Sequence, residues 1–121
     1  VNRVPVVDGH TESISVKLQT PAPIQEVEAV LSGFQGPPQT DGLPTAPPAP
    51  IVVLRERDRP QPRVDVLRDG GMAAIVGGLR PCSVLDVKMT VLGHNTVRGA
   101  AGGSILNAEL AWVRGMLRGP R

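Results

Sequence analysis

Thr11-Glu12-Ser13-Ile14-Ser15-Val16-Lys17-Leu18 is the stretch that decides the fold class. Ile14, Val16 and Leu18 fall on one side of an extended chain, and Ser13, Ser15 and Lys17 on the other. That two-residue period marks a half-buried strand, which needs a sheet to join and a layer to cover its apolar side. Downstream, Thr20-Pro21-Ala22-Pro23 stops the strand, and Ile24, Val27, Val30 and Leu31 follow at helical spacing with Gly33 placed to end the helix. Upstream, residues 3–7 form an apolar, β-branched run. Pro5 within it points to an edge strand or an irregular pairing.

Further along, residues 36–50 shift to Pro, Gly, Thr and Ala, as in a linker or an extended arm running over a surface. Ile51–Leu54, 73–79 and 84–92 read as strands, the last with Leu85, Val87, Met89 and Val91 on one face. Residues 59–63 alternate with prolines and are expected to be extended. Residues 95–117 read as one long helix with Leu106, Leu110, Val113 and Leu117 as its stripe and Asn95 or Thr96 as its cap. The sum is an α+β domain, an antiparallel or mixed sheet with helices on one face.

Composition bounds the function. The chain has 121 residues, 40% of them hydrophobic, but Phe34 and Trp112 are its only aromatics, so the core must be aliphatic. A net charge of +2, with basic residues interleaved with acidic ones as in Arg55-Glu56-Arg57-Asp58-Arg59, gives no footprint for nucleic acid. No apolar run approaches the length of a membrane span, and no signal peptide is visible. The single cysteine, Cys82, excludes an internal disulfide framework and fits a reducing, cytoplasmic setting. The chain opens at Val1 without an initiator Met, and it is expected to be part of a longer protein.

Two segments carry chemistry. Arg3 offers a planar cation that can grip a carboxylate, and the Asp8-Gly9 turn delivers His10, an imidazole that can move a proton. The segment 93–104 puts Gly99, Gly102 and Gly103 inside the expected helix, where each costs about 1 kcal/mol in helix propensity relative to alanine. Such costs suit a close approach by a ligand or a second backbone. Asn95, as both donor and acceptor, would suit the carboxamide of a nicotinamide; alternatively it is only a cap and the glycines serve helix packing. His10, His94 and Cys82 lack the spacing of metal ligands, so no metal is expected.

Three motifs, Asn2-Arg3-Val4-Pro5-Val6-Val7-Asp8-Gly9-His10-Thr11-Glu12, Asp58-Arg59-Pro60-Gln61-Pro62-Arg63 and the run from Gly93-His94-Asn95-Thr96-Val97-Arg98 through Gly99-Ala100-Ala101-Gly102-Gly103-Ser104 to Leu110, resemble aspartate-semialdehyde dehydrogenases of the archaeal and fungal branch. The resemblance runs over nearly the whole chain but covers only the C-terminal part of such an enzyme. It implies an incomplete catalytic and dimerisation domain like that of glyceraldehyde-3-phosphate dehydrogenase over 1–94, with an extended arm at about 36–63. The C-terminal helix at 95–121 is then expected to pack against a nucleotide-binding domain outside this chain.

The resemblance further implies an NADP-dependent reductive dephosphorylation of L-aspartyl 4-phosphate to L-aspartate 4-semialdehyde through a cysteine thioacyl intermediate. That step serves lysine, diaminopimelate, threonine and methionine biosynthesis. By position His10 matches the family's acid/base, Arg3 its substrate-carboxylate clamp, and Asn95 its contact to the nicotinamide end of the cofactor. The nucleophile lies in the part of the family pattern that this chain lacks, so no turnover is expected from the chain alone. A homodimer or homotetramer is expected of the parent protein. The alternatives are a malonyl-coenzyme A reductase-like relative and a non-catalytic dimerisation module derived from the family.

Overall fold

Period-two patterning yields four strands among the described residues, and the computed structural model, which describes residues 4–117, joins them in one sheet. β1 (His10–Val16), β2 (Ile51–Leu54), β3 (Ala74–Pro81) and β4 (Val87–Gly93) stand in the order β1-β4-β3-β2. β4 pairs antiparallel with β1 and β3, while β2 and β3 run parallel, so the sheet is mixed. A parallel pair needs a crossover. Here it is α3 (Pro62–Asp65) followed by a 3-10 turn at Arg68–Gly71. α1 (Ile24–Ser32) lies against β2 and β3, and α2 (Pro37–Thr40) touches α4 (Gly102–Val113).

The sheet's register builds the main core. Val52 aligns with Ile75 and Ile75 with Leu92, so these side chains project to one side together with Leu54. Val66, just past α3, and Ala73 close over them. A second cluster of Leu43, Met72 and Leu106 takes in Ala46, Val97 and Leu110. This cluster ties the Pro-rich stretch to α4, so 36–50 is an arm lying on the domain and containing one helical turn, not a free linker. Polar contacts reinforce it: Thr45 donates to Glu109 Oε2 from its hydroxyl (2.8 Å), and Arg114 Nη2 pairs with Asp41 (3.1 Å).

Several elements differ from the sequence reading, each for a physical reason. Val4 to Val7 take no strand conformation, because the edge of β1 is reached only after the Asp8-Gly9 turn; Arg3 lies outside the described residues. Val30 is exposed on α1, while Ile24, Val27 and Leu31 are half-buried, since three-residue steps drift off the apolar stripe. The extended segment 59–63 ends in the helical turn α3, which starts with Pro62 at its first position. β4 begins at Val87 rather than 84, because Cys82 to Asp86 form a turn in which the Cys82 N–H donates to the Asp86 carbonyl (3.1 Å). Leu85 therefore leaves the strand face assigned to it.

The largest correction concerns 95–117. A π-helical turn at Val97–Ala101 precedes α4, with Gly99 donating to the His94 carbonyl (3.0 Å) and Ala101 to the Thr96 carbonyl (2.9 Å). α4 itself stops at Val113, followed by Gly115 at φ 68°. Leu106 and Leu110 therefore pack inward, whereas Val113 and Leu117 are exposed. The glycines explain the approach: a Cβ on Gly102 would stand 2.4 Å from Met72 Sδ.

Candidate active site

His10 opens β1, and its register partner is Gly93, the last residue of β4. The chain then turns through His94 and Asn95 into the π-helical turn, so the two motifs singled out in the sequence arrive at the same sheet end. The Gly9 N–H donates to Asn95 Oδ1 at 3.2 Å, a bond between residues 86 apart in the chain. His10, Glu12, His94, Asn95 and Arg98 border an open depression of about 340 Å³. His10 Nε2 stands 3.1 Å from Glu12 Oε1, with the two side chains 71% and 56% exposed. At that exposure the pair contributes little to stability, and its consequence is orientation of the ring.

His94 has a different role. It is 6% exposed, and its Nδ1 lies 3.4 Å from the Val97 N–H and 3.2 Å from Thr96 Oγ1. It thus satisfies the start of the π-helical turn from inside, which neither Asn95 nor Thr96 does as a side-chain cap. Asn95 instead spends its side-chain oxygen on the turn before His10. Arg3 lies outside the described residues, so its proposed grip on a carboxylate has no geometry here.

Sequence reasoning assigned no role to Glu12 or to a place for Arg98 at the rim. The signal for Glu12 was its spacing: residues i and i+2 of a strand share a side, so Glu12 projects beside His10. Arg98, a cation in the first turns of the helix expected from residue 95, is poorly placed for a helix dipole. The π-helical turn carries it to the depression instead.

Cys82 is far from this chemistry. Its Sγ lies 3.8 Å from Ser15 Oγ, and Ser15 is near the other end of β1 from His10, about 17 Å away at the rise of an extended strand. The Leu85 N–H donating to its sulfur (3.4 Å), with lesser help from Val84 and Ser15, lowers the thiol below its ordinary value. Even so, no thiol among the described residues can reach His10.

The segment 58–63 supplies structure. Arg59 grips the fully buried Asp65, with Nε at 2.7 Å from Oδ2 and Nη2 on Oδ1. The Gln61 N–H (2.7 Å) and Arg68 Nε (3.2 Å) complete the set. The Arg59 guanidinium, followed by those two donors, outweighs burial and holds the Asp65 carboxyl well below the usual carboxylate range.

With the geometry in place, comparison with known proteins assigns the family. Residues 1–98 match the family model described as semialdehyde dehydrogenase, dimerisation domain. The chain is 51% identical over 111 residues to an aspartate-semialdehyde dehydrogenase of Methanothermobacter thermautotrophicus, covering 90% of this chain and 32% of that protein. It is 46% identical over 118 residues to the protein of the same name from Candida albicans, covering 96% and 32%. The crystal structure of the Candida albicans enzyme with NADP superposes at a TM-score of 0.86, with 44% identity, over 95% of this chain and 33% of that one. Aspartate semialdehyde dehydrogenase II from Vibrio cholerae gives 0.74 at 26% identity, over 95% and 30%. The chain thus spans about a third of the length of the curated relatives it matches, and it belongs to the semialdehyde dehydrogenase family, whose dimerisation domain it carries.

Proposed function

We propose that the chain is the C-terminal part of an NADP-dependent aspartate-semialdehyde dehydrogenase working in the cytosol, and that His10 is its acid/base. The observation that carries this reading is the meeting of His10 and Asn95 at one sheet end through the 3.2 Å bond to Gly9. The reaction converts aspartyl 4-phosphate, a hydride and a proton to the semialdehyde and inorganic phosphate. His10 takes a proton as a thiol supplied from outside this chain attacks, and returns it as the sulfur leaves; Glu12 steadies the ring from one of its nitrogens.

Asn95 fits the carboxamide end of a nicotinamide dinucleotide. Its oxygen is engaged by Gly9, so its amide nitrogen donates to the ligand's carbonyl. NADP in its reduced form would supply the hydride. Arg3 would bind the substrate carboxylate with its planar fork.

α4 bears on the domain through Leu106 and Leu110, while Ile105 and Trp112 are 52% and 61% exposed on its outer side. That outer side is the proposed contact with the nucleotide-binding domain of the parent protein. The family match supports assembly with a second copy, as a homodimer or a homotetramer.

The test is an assay of the full-length protein. We expect phosphate-dependent oxidation of aspartate semialdehyde with NADP, and no turnover from residues 1–121 alone. Reduction of malonyl-coenzyme A in its place would assign the protein to the related reductases, and no turnover of either substrate would leave a non-catalytic dimerisation module.

A further inference from the structure

We propose that Asn95 is a positioning residue for His10: its side-chain oxygen fastens the Asp8-Gly9 turn from which His10 emerges, and its amide nitrogen is left as the donor for a bound carbonyl. The inference rests on the reading of His10 as acid/base and adds to it how the imidazole is held.

Gly9 stands at φ 112°, a conformation that side-chain-bearing residues rarely adopt. A Cβ there would lie 3.0 Å from Leu92 Cδ1 and 3.3 Å from Val66 Cγ2, so one side of the turn presses on the main core. The Asn95 oxygen holds the backbone N–H of the same residue. The direction in which β1 leaves the turn, and with it the Cα–Cβ bond of His10, is therefore set by a packing contact and a hydrogen bond acting on one glycine.

Asn95 is itself a fixed point. It sits two residues beyond Gly93, the register partner of His10, so β4 supplies both the pairing and the side chain. Its neighbour His94 is buried, accepts at Nδ1 from the Val97 N–H, and anchors the π-helical turn through its carbonyl to Gly99 at 3.0 Å. His10, by contrast, is an exposed side chain on an edge strand, held among the described residues only by Glu12. An acid/base group must be held to a fraction of an ångström, and a misplacement of about 1 Å costs roughly a hundredfold in rate. The Asn95–Gly9 bond is what the fold provides for that purpose.

The experiment uses the full-length protein, numbered as here, with Asn95→Ala, Asn95→Asp and His10→Asn measured in parallel. Asn95→Asp retains an oxygen for the Gly9 N–H and loses the amide donor; Asn95→Ala loses both. We expect Asn95→Ala to lower kcat by about 10- to 100-fold. Asn95→Asp should recover most of that kcat while sharing a raised KM for NADP. Hydrogen exchange at the Gly9 amide should quicken in Asn95→Ala and not in Asn95→Asp. Asn95→Ser, whose hydroxyl is too short to reach Gly9, replaces Asn95→Ala should the latter fail to fold. Unchanged kcat or unchanged Gly9 exchange in the truncated variant overturns the proposal, as does an Asn95→Asp enzyme as slow as Asn95→Ala. Full activity in His10→Asn would instead overturn the acid/base reading beneath it.

Discussion

At the scale of single residues, burial divides the side chains proposed to do chemistry from those that hold shape. His10 is 71% exposed at its side chain, so replacing it removes almost no packing. His10→Asn in the full-length protein should leave the melting temperature nearly unchanged while kcat falls about 10²- to 10⁴-fold, the usual worth of a general acid/base. Steady-state kinetics beside a thermal melt checks both halves. Asp65 is the opposite case, fully buried and gripped by Arg59 and Arg68. Asp65→Asn leaves the Arg59 charge without its counterion and should cost about 3–5 kcal/mol, read by denaturant unfolding. The same pair sets an acid limit. Because the folded carboxyl titrates below its unfolded value, its contribution is complete above the unfolded carboxylate range and is lost as pH falls toward the folded value. Unfolding measured from neutral to acid pH should therefore show stability declining below about pH 4 in the wild type, and a weaker decline in Asp65→Asn.

At the scale of elements, the four strands of the sheet were legible, whereas the run at residues 4–7 forms no strand and the joints were not legible. Alternation from Ile14 to Leu18 is realised in the structure, with those apolar side chains half-buried and Ser13, Ser15 and Lys17 exposed, since a period of two has few competitors in a polar sequence. The sequence around Asp65 carried no such periodicity. Its burial depends on the chain reversing between Arg59 and Asp65, and a lone carboxylate among arginines looks like a solvated face until that reversal is known. The long C-terminal helix failed for a related reason: the stripe from Leu106 to Leu117 was counted at its end, while the glycines at its start permit the π-helical turn that brings Arg98 to the rim of the depression. The joint most exposed to test is that between β3 and the Arg59 segment. A Cβ on Gly77 would lie 2.3 Å from the Arg59 carbonyl oxygen and 2.8 Å from Pro60 Cδ, with backbone rather than a flexible side chain in the way. Gly77→Ala should destabilise the protein by about 1–3 kcal/mol or more, measured by denaturant unfolding. It should also weaken the Arg59–Asp65 pair, so combining it with Asp65→Asn should give less than the sum of the two single losses.

At the scale of the whole molecule, the site and the exposed apolar surface belong to one architectural fact: this chain presents half of each. The depression at His10 holds the proposed acid/base and an amide donor but, among the described residues, no thiol within reach, and α4 buries Leu106 while leaving Ile105 and Trp112 open. Apolar side chains spaced seven residues apart on one helix face form a contact stripe. Were that face free in the parent protein, Ile105→Lys would fall among surface substitutions, which change stability by no more than about 0.5 kcal/mol. Covered by the nucleotide-binding domain, Ile105 is instead a buried side chain, and burying lysine in its place should cost about 2 kcal/mol or more. Denaturant unfolding of full-length Ile105→Lys distinguishes the two, and its concentration dependence identifies the covering surface. A loss that stays constant with protein concentration places the contact within one chain, whereas a loss that shrinks as concentration rises places it between subunits, because only association is governed by mass action. We expect the constant loss, since α4 continues directly from the π-helical turn that borders the depression. A domain seated on that helix would close the depression at His10 from the same side, excluding water from the proton transfer proposed for it.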